Sequence, residues 1–372
     1  MSGEWVIGVI GGSGLYAIDA LEDAQWIAVK SPFGAPSDDI LCGRIGDVQL
    51  RFLPRHGRGH RLSPGGVNAR ANVDALKRAG CTDILAISAV GSLDEKLPPG
   101  HFVAVDQLID MTRGRVSSFF DSGFVAHVGF ADPVCPRLSK LAARAVGKAG
   151  GKVSEGATYV AIEGPQFSTR AESRLYKQWG AQVIGMTAMP EAKLAREAEL
   201  PYALLAMVTD YDGWREGEPA VSVDQVVEQM HANAALARKA MVELVKALPK
   251  TRSASPIDHA LDDAVITNPD KFDRELVARL DAVAGRLLGL NAEQLTQALG
   301  QLRTVVENYP QLQSQARFAD LTLPLGKPEL IVITATIFLA WALMLSQAIE
   351  SVTRVFYARA DLDLIMSSPA NL

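Results

Sequence analysis

At 372 residues, with 48% hydrophobic and 21% charged side chains, the chain has ample apolar material for one large folded domain or two ordinary ones. A net charge of −5 argues against a nucleic-acid surface, which needs a basic patch, and leaves small neutral or anionic substrates open. Cysteines 42, 81 and 135 have neither metal nor redox spacing, and the opening MSGEWVIGVIGG lacks a basic region and a cleavage pattern, so a cytoplasmic enzyme with reduced thiols is expected.

In chain order, residues 5–10 are a β-branched run ending in Gly11-Gly12-Ser13-Gly14, a strand that enters a glycine turn. Gly12, Gly14 and Ala17 fit the dinucleotide pattern G-x-G-x-x-A, with Asp38 and Asp39 near the ribose-acid position, but Pro32, Gly34 and Pro36 break that unit before a second strand arrives. A hydroxyl at the tip of a glycine turn also suits a simple phosphate, because free backbone N–H groups there point at an anion. Residues 48–53 form the next strand and run into PRHGRGHRLSPGG. Arg55, His56, Arg58, His60 and Arg61 fall within seven residues, a cluster that repels itself unless it meets an anion or an acidic partner. Residues 68–80 have helical spacing and stop at Gly80.

Residues 82–89 form a buried strand ending in Ser88-Ala89-Val90-Gly91-Ser92, small and hydroxylic groups of the kind that read phosphate or sugar. A strand over 102–106 follows, then a mixed stretch to 120, a loop over 125–135 that carries His127, and a helix over 138–148. Residues 158–162 are a strand leading to EGPQFSTRAES, where Ser168 and Thr169 precede a helix with Glu172 in its first turn. Another strand spans 183–187, and a helix follows Pro190 over 191–199. The apolar run YALLAMV at 202–208 ends in Asp210 and Asp212, two positions apart, so that in an extended segment both face the same way. A long helix spans 221–248.

This alternation predicts an α/β fold with one main sheet over 1–250, in which Ser13, Arg55, Ser88, Thr187 and Asp210 all sit at strand ends. An anion site facing a carboxylate pair suits phosphorolysis, in which phosphate displaces a leaving group that a carboxylic acid of raised pKa protonates. A helix-capping acidic loop is the other reading of Asp210 and Asp212.

Seven segments, GVIGGSGLY, PRHGRGHRLSPGGVNARANVDAL, AVGSL, FVAVDQLIDMT, IEGPQFSTRAES, WGAQVIGMTAMPEAKLAREA and VTDYDGW, together resemble the trimeric purine nucleoside phosphorylase family, in its branch that takes 5′-methylthioadenosine. The resemblance covers about 1–250 and implies a single mixed sheet flanked by helices. It further implies that Ser13, Arg55, His56, Ser88, Ala89 and Thr187 hold phosphate, that Met186 lies against the ribose and Phe167 against the base, and that Asp210 and Asp212 do the catalytic work at the 6-amino group and N7. Ser168, Val223 and His127 are implied to set specificity, with His127 reaching the 5′-thioether pocket from a neighbouring subunit of a homotrimer. Ser13 stands where threonine is frequent and keeps the hydroxyl. The implied reaction is reversible phosphorolysis of a methylthioadenosine, with inorganic phosphate as co-substrate and no metal or organic cofactor. Methylthioinosine or general purine nucleosides are the alternative substrates, and a nucleoside-sensing module is the non-enzymatic alternative.

Beyond about residue 248 the resemblance fades. Residues 251–289 are charged and amphipathic, a helical C-terminal extension. The segment 290–328, with AEQLTQALGQLRTVVENYPQLQSQARFAD, is similar to a helical stretch of the LemA family. The last segment, 329–372, carries LIVITATIFLAWALML, which with its flanks over 330–349 reaches the lower range of a membrane-spanning helix, about 20 residues. Its closing FYARADLDLIMSSP resembles a fragment of a membrane permease. The ending is read either as unrelated segments joined after about residue 289 (a fusion, a frameshift or an assembly artefact) or as a natural membrane tether.

Overall fold

The apolar runs of the sequence become the strands of one nine-stranded sheet in the computed structural model, which describes residues 3–12, 14–15, 18–216 and 223–289. The elements are β1 (Val6–Gly11), β2 (Glu22–Ile27), β3 (Ile40–Ile45), β4 (Val48–Pro54), α1 (Ala69–Arg78), β5 (Asp83–Ser92), β6 (Phe102–Asp110) and α2 (Pro136–Lys148). There follow β7 (Val153–Ala161), α3 (Arg170–Gln178), β8 (Val183–Gly185), α4 (Ala188–Glu197), β9 (Tyr202–Asp210), α5 (Val223–Ala247) and α6 (Arg274–Arg279). The strand order is β2-β3-β4-β1-β5-β8-β7-β6-β9. Parallel pairs (β1 with β4 and β5, β7 with β6 and β8) mix with antiparallel ones (β2 with β3, β3 with β4), as expected for the mixed sheet. The sequence pattern did not announce β2 and β3. EDAQWI is exposed at every position, Trp26 and Ile27 included, an edge strand held by its backbone pairing with β3 rather than by burial.

β5 has three partners. It pairs with β1 over Asp83–Ala86, with β9 over Ile84–Gly91, and antiparallel with β8 at Gly91 and Ser92. Because β9 also pairs with β6, the strands β5, β8, β7, β6 and β9 close on themselves. Closure leaves this part of the sheet without a free edge. Alternate residues of β9 then feed different cores: Leu204 packs in the one that holds Leu76 of α1 and Leu194 of α4, and Leu205 in the one that holds Leu138 of α2 and Leu244 of α5.

Residues 251–289 contain two short 3-10 turns and α6, and they share the first core through Leu261, Leu280, Val283 and Ala284. Three ionic ties hold this stretch. Arg252 bonds Asp83 and, at 2.6 Å, Asp258; Arg286 bonds Glu199 at 2.6 Å; and Arg78 bonds Asp281. Among the described residues no helix is long and apolar enough to cross a membrane. The segments 290–328 and 329–372, including the span over 330–349, lie outside the described residues.

Asp83 is fully buried and carries both Arg252 and Arg137. Removing one member of such a group strands the other charges in the interior, which costs about 3–5 kcal/mol. Asp83→Ala is therefore expected to lower the urea unfolding free energy by that amount, and an exposed control such as Asp47→Ala to leave it nearly unchanged.

Candidate active site

Strand ends from both halves of the sheet meet around one cavity. In the parallel pair β1–β4, Gly11 lies opposite Pro54, so the glycine turn and Arg55 leave the sheet side by side, and the Arg55 N–H donates to the Gly11 carbonyl at 2.9 Å. β5 and β9 also run parallel, which sets Ser88 beside Ala206 and Gly91 beside Asp210 after a bulge. β8 runs back along β5 with Ile184 opposite Gly91. Carried onward, that register brings Thr187 opposite Ser88, and their hydroxyl oxygens are 3.1 Å apart.

The cavity measures about 240 Å³. Arg55, His56, Ser88, Ala89 and Thr187 line it together with Met186, Phe167, Asp210 and Asp212. Other predicted residues fall elsewhere. Ser13 lies outside the described residues, as does the side chain of Val223, the first residue of α5. Ser168 is not in the lining, and its buried hydroxyl has no hydrogen-bond partner. His127 is exposed, on a loop whose N–H at that position donates to the Ala264 carbonyl at 2.8 Å, and it does not line its own chain's cavity. The lining also includes His60, Thr209 and, from α5, Val226, Met230 and Ala234. Those last three recur every four residues and so mark one helix face, a periodicity that was readable in the sequence.

Two of the three arginines of the basic cluster, Arg55 and Arg58, are met by carboxylates. Arg55 is 2% exposed, and its Nε and Nη2 donate to Glu191 at 2.9 and 3.0 Å, its Nη1 to the Ile87 carbonyl at 2.9 Å and its Nη2 to the Ile10 carbonyl at 3.2 Å. Arg58 takes Asp38 and Asp39 at 2.7 and 3.0 Å, which accounts for the acids that fit the dinucleotide pattern. Arg61 donates to the Ser37 carbonyl. His56 Nδ1 lies 2.9 Å from the Leu62 carbonyl, so Nδ1 is the donor and Nε2 keeps the lone pair in the neutral ring. Its ring stacks on His60 with centroids 4.4 Å apart. Burial, and then the Arg55 charge, pushes the His56 imidazole down to about 4.

The carboxylate pair is shifted the other way. Burial raises Asp210 to about 6, the charge on Asp212 adding to the effect, while the Thr209 hydroxyl on its Oδ1 at 2.6 Å opposes it. Burial likewise raises Asp212, against a hydrogen bond from Ser173. Ser173 is placed by α3, which starts on a full capping box of Thr169 and Glu172. The Asp212 N–H and the Trp214 Nε1 both donate to the Ser92 carbonyl, at 3.1 and 2.8 Å, tying the acidic loop back to β5. Opposite, Arg115 binds the carbonyls of Met186, Met189 and Glu163 at 2.7, 3.0 and 2.5 Å and so holds the backbone that presents Met186. Among the described residues no group of three or more His, Cys, Asp or Glu side chains is placed to hold a metal.

A family model described as phosphorylase superfamily matches residues 6–248. The chain belongs to the phosphorylase superfamily. It is 56% identical over 285 residues to the S-methyl-5′-thioadenosine phosphorylase of Cereibacter sphaeroides, covering 76% of this chain and 98% of that protein. Against the S-methyl-5′-thioadenosine phosphorylase of Rhodospirillum rubrum it is 53% identical over 290 residues, with 76% and 97% covered. Among solved structures, a methylthioadenosine phosphorylase sourced from an Antarctic soil metagenomic library superposes with a TM-score of 0.70 at 47% identity, covering 75% of this chain and 99% of that one. The methylthioadenosine phosphorylase of Schistosoma mansoni in complex with adenine gives a TM-score of 0.60 at 39% identity, covering 65% and 91%.

In this member of the superfamily, Gly91 is where both acids close on the sheet. A Cβ there would lie 3.2 Å from Asp210 Oδ2 and from Asp212 Cβ, and 3.1 Å from Ile184 Cγ2. Gly91→Ala is therefore expected to displace both carboxylates. The neighbours must give by a few tenths of an ångström, and as about 1 Å of misplacement costs on the order of 10²-fold in rate, turnover should fall by about three- to tenfold while the melting temperature moves by only about 2–4 °C.

Proposed function

We propose that the chain catalyses the reversible phosphorolysis of S-methyl-5′-thioadenosine to adenine and 5-methylthioribose 1-phosphate. The observation that carries this reading is one cavity holding a hydroxyl-rich anion end and a carboxylate pair of raised pKa. It stands in a chain 56% identical to a phosphorylase named for that substrate.

Phosphate is bound by the Ser88 and Thr187 hydroxyls, the Ala89 backbone, Arg55, His56 and Ser13. One of its oxygens attacks C1′ as the C1′–N9 bond breaks through an oxocarbenium-like sugar, and the electron pair of that bond goes to the purine. Met186 backs the ribose and Phe167 covers the base. The protonated Asp212 delivers its proton to N7, so that adenine leaves neutral, and Asp210 accepts from the 6-amino group. Burial is what makes this possible, because it keeps the acid form populated closer to neutrality than an exposed aspartate would. Positioning and the dipoles around the phosphate supply most of the rest of the rate.

Substrate choice follows from the same groups. A carboxylate facing position 6 welcomes an amino group and repels a 6-oxo group, a mismatch worth about 1–3 kcal/mol. The 5′-methylthio group lies toward the apolar face of α5 and Val223. His127 closes the pocket from a neighbouring copy of a homotrimer, in keeping with its exposure away from its own cavity.

A base-release assay with methylthioadenosine, methylthioinosine and inosine, run with and without phosphate, tests the reaction. Release should require phosphate and favour methylthioadenosine. Cleavage without phosphate would mean a hydrolase, and binding without release a sensing module. Asp210→Asn should shift the preference toward 6-oxopurines by about tenfold or more, the equivalent of 1–3 kcal/mol. Asp212→Asn should lower kcat by roughly 10²–10⁴-fold, the usual worth of a general acid. Since the acid form is the active one, wild-type kcat should decline as pH rises through the Asp212 titration, and the asparagine variant should lack that decline.

A further inference from the structure

Glu191 is buried beside the anion end without lining the cavity. Met189 departs from helical dihedrals (φ −113°, ψ 135°), so α4 winds regularly only from Pro190, and Glu191 comes in its first turn. The residue is 2% exposed. Its carboxylate accepts three hydrogen bonds: Arg55 Nε on Oε2 at 2.9 Å, and Arg55 Nη2 at 3.0 Å and the Tyr202 hydroxyl at 2.9 Å on Oε1. The remaining contacts of Arg55 go to the carbonyls of Ile10, next to the end of β1, and Ile87, in the middle of β5. A guanidinium has five N–H groups, and four hydrogen bonds are made here, so one N–H is left over.

We propose that Glu191, itself steadied by Tyr202, is a positioning residue that locks the Arg55 guanidinium with a single N–H available to phosphate and cancels its charge. The inference rests on the reading that Arg55 borders the phosphate. Its physical sense lies in how the anion is held. A free arginine fork grips two phosphate oxygens at once and binds through net charge. Here the fork is occupied by Glu191, and the stacked His56 ring is neutral near pH 7. Phosphate is then held by dipoles, namely the Ser88 and Thr187 hydroxyls and backbone N–H groups. A site that bound inorganic phosphate by full charge would stabilise the nucleophile and the sugar phosphate alike. Stabilisation common to ground and transition states lowers KM without raising kcat.

Kinetics of Glu191→Gln, Glu191→Asp, Tyr202→Phe and Arg55→Lys, with phosphate and nucleoside varied separately, test this. The Gln amide turns an NH₂ toward one arginine N–H, frees the fork and leaves its charge uncancelled. KM for phosphate should therefore fall by about tenfold with no gain in kcat, while KM for the nucleoside stays within about twofold. Glu191→Asp, which keeps the charge, should recover most of the wild-type phosphate KM, and Tyr202→Phe, which spares the ion pair but loosens it, should lower the phosphate KM by about twofold. An unchanged or raised phosphate KM in a folded Glu191→Gln, or equal changes in both KM values, would overturn the proposal. Should Glu191→Gln fail to fold, the phosphate KM of Tyr202→Phe decides in the same way. Arg55→Lys separates the two levels. If it leaves the phosphate KM untouched, the phosphate reading fails; if it raises that KM while the Glu191 and Tyr202 variants leave theirs unchanged, the positioning role alone fails.

Discussion

The triple pairing of β5 is the constraint on which the remainder of the molecule depends. Its first half is bonded on both sides, to β1 and β9, and its last two residues turn to β8. A strand with neighbours on both sides and both faces covered has to be apolar or small along its length, and DILAISAVGS is so at every position but Asp83, which has its own arginines. The change of partner at Gly91 closes the five-strand ring and delivers Ser88, Thr187, Asp210 and Asp212 to one cavity. Had β8 paired parallel, Thr187 would project beyond the end of β5 instead of returning to meet Ser88 at 3.1 Å.

Around that closure the electrostatics divide into two parts with opposite logic. At one end of the cavity, a buried arginine is matched by a buried glutamate and a histidine is pushed toward neutrality, so donors rather than net charges border the cavity. At the other end, two carboxyls are desolvated together and met by the neutral hydroxyls of Thr209 and Ser173, and both are raised toward the acid form. Both parts use the same physical fact, that burial penalises whichever form is charged. The difference is whether a counter-charge is supplied.

The C-terminal stretch belongs to the same economy of burial. Asp83 sits at the start of β5 with no solvent access, and Arg252 from beyond α5 satisfies it. Leu261 and Leu280 complete the core that α1 and α4 begin. The strand that organises the cavity is therefore anchored at its far end by residues beyond the stretch 6–248 that the phosphorylase superfamily model matches.

Much was legible in the sequence. The strands β1, β4, β5 and β9 announce themselves as apolar runs because they are buried on both faces, and Thr169 with Glu172 announces α3 because a capping box is a local device. The spacing of Asp210 and Asp212 sufficed to put both on one side of an extended segment, and both do line the cavity. Edge strand β2 stayed hidden because its pairing needs no apolar side chain. The arginine cluster was visible as a charge problem, but its solution was not. Glu191 lies 136 residues from Arg55 and Asp38 lies 20 from Arg58, and no local pattern connects such partners. Sequence alone determined which groups the chain brings to its strand ends, since side-chain chemistry and period are local properties. Only the tertiary structure decided which of them are neutralised, which are pushed toward the acid form and which line the cavity, because desolvation and counter-charge depend on what the fold packs against each group.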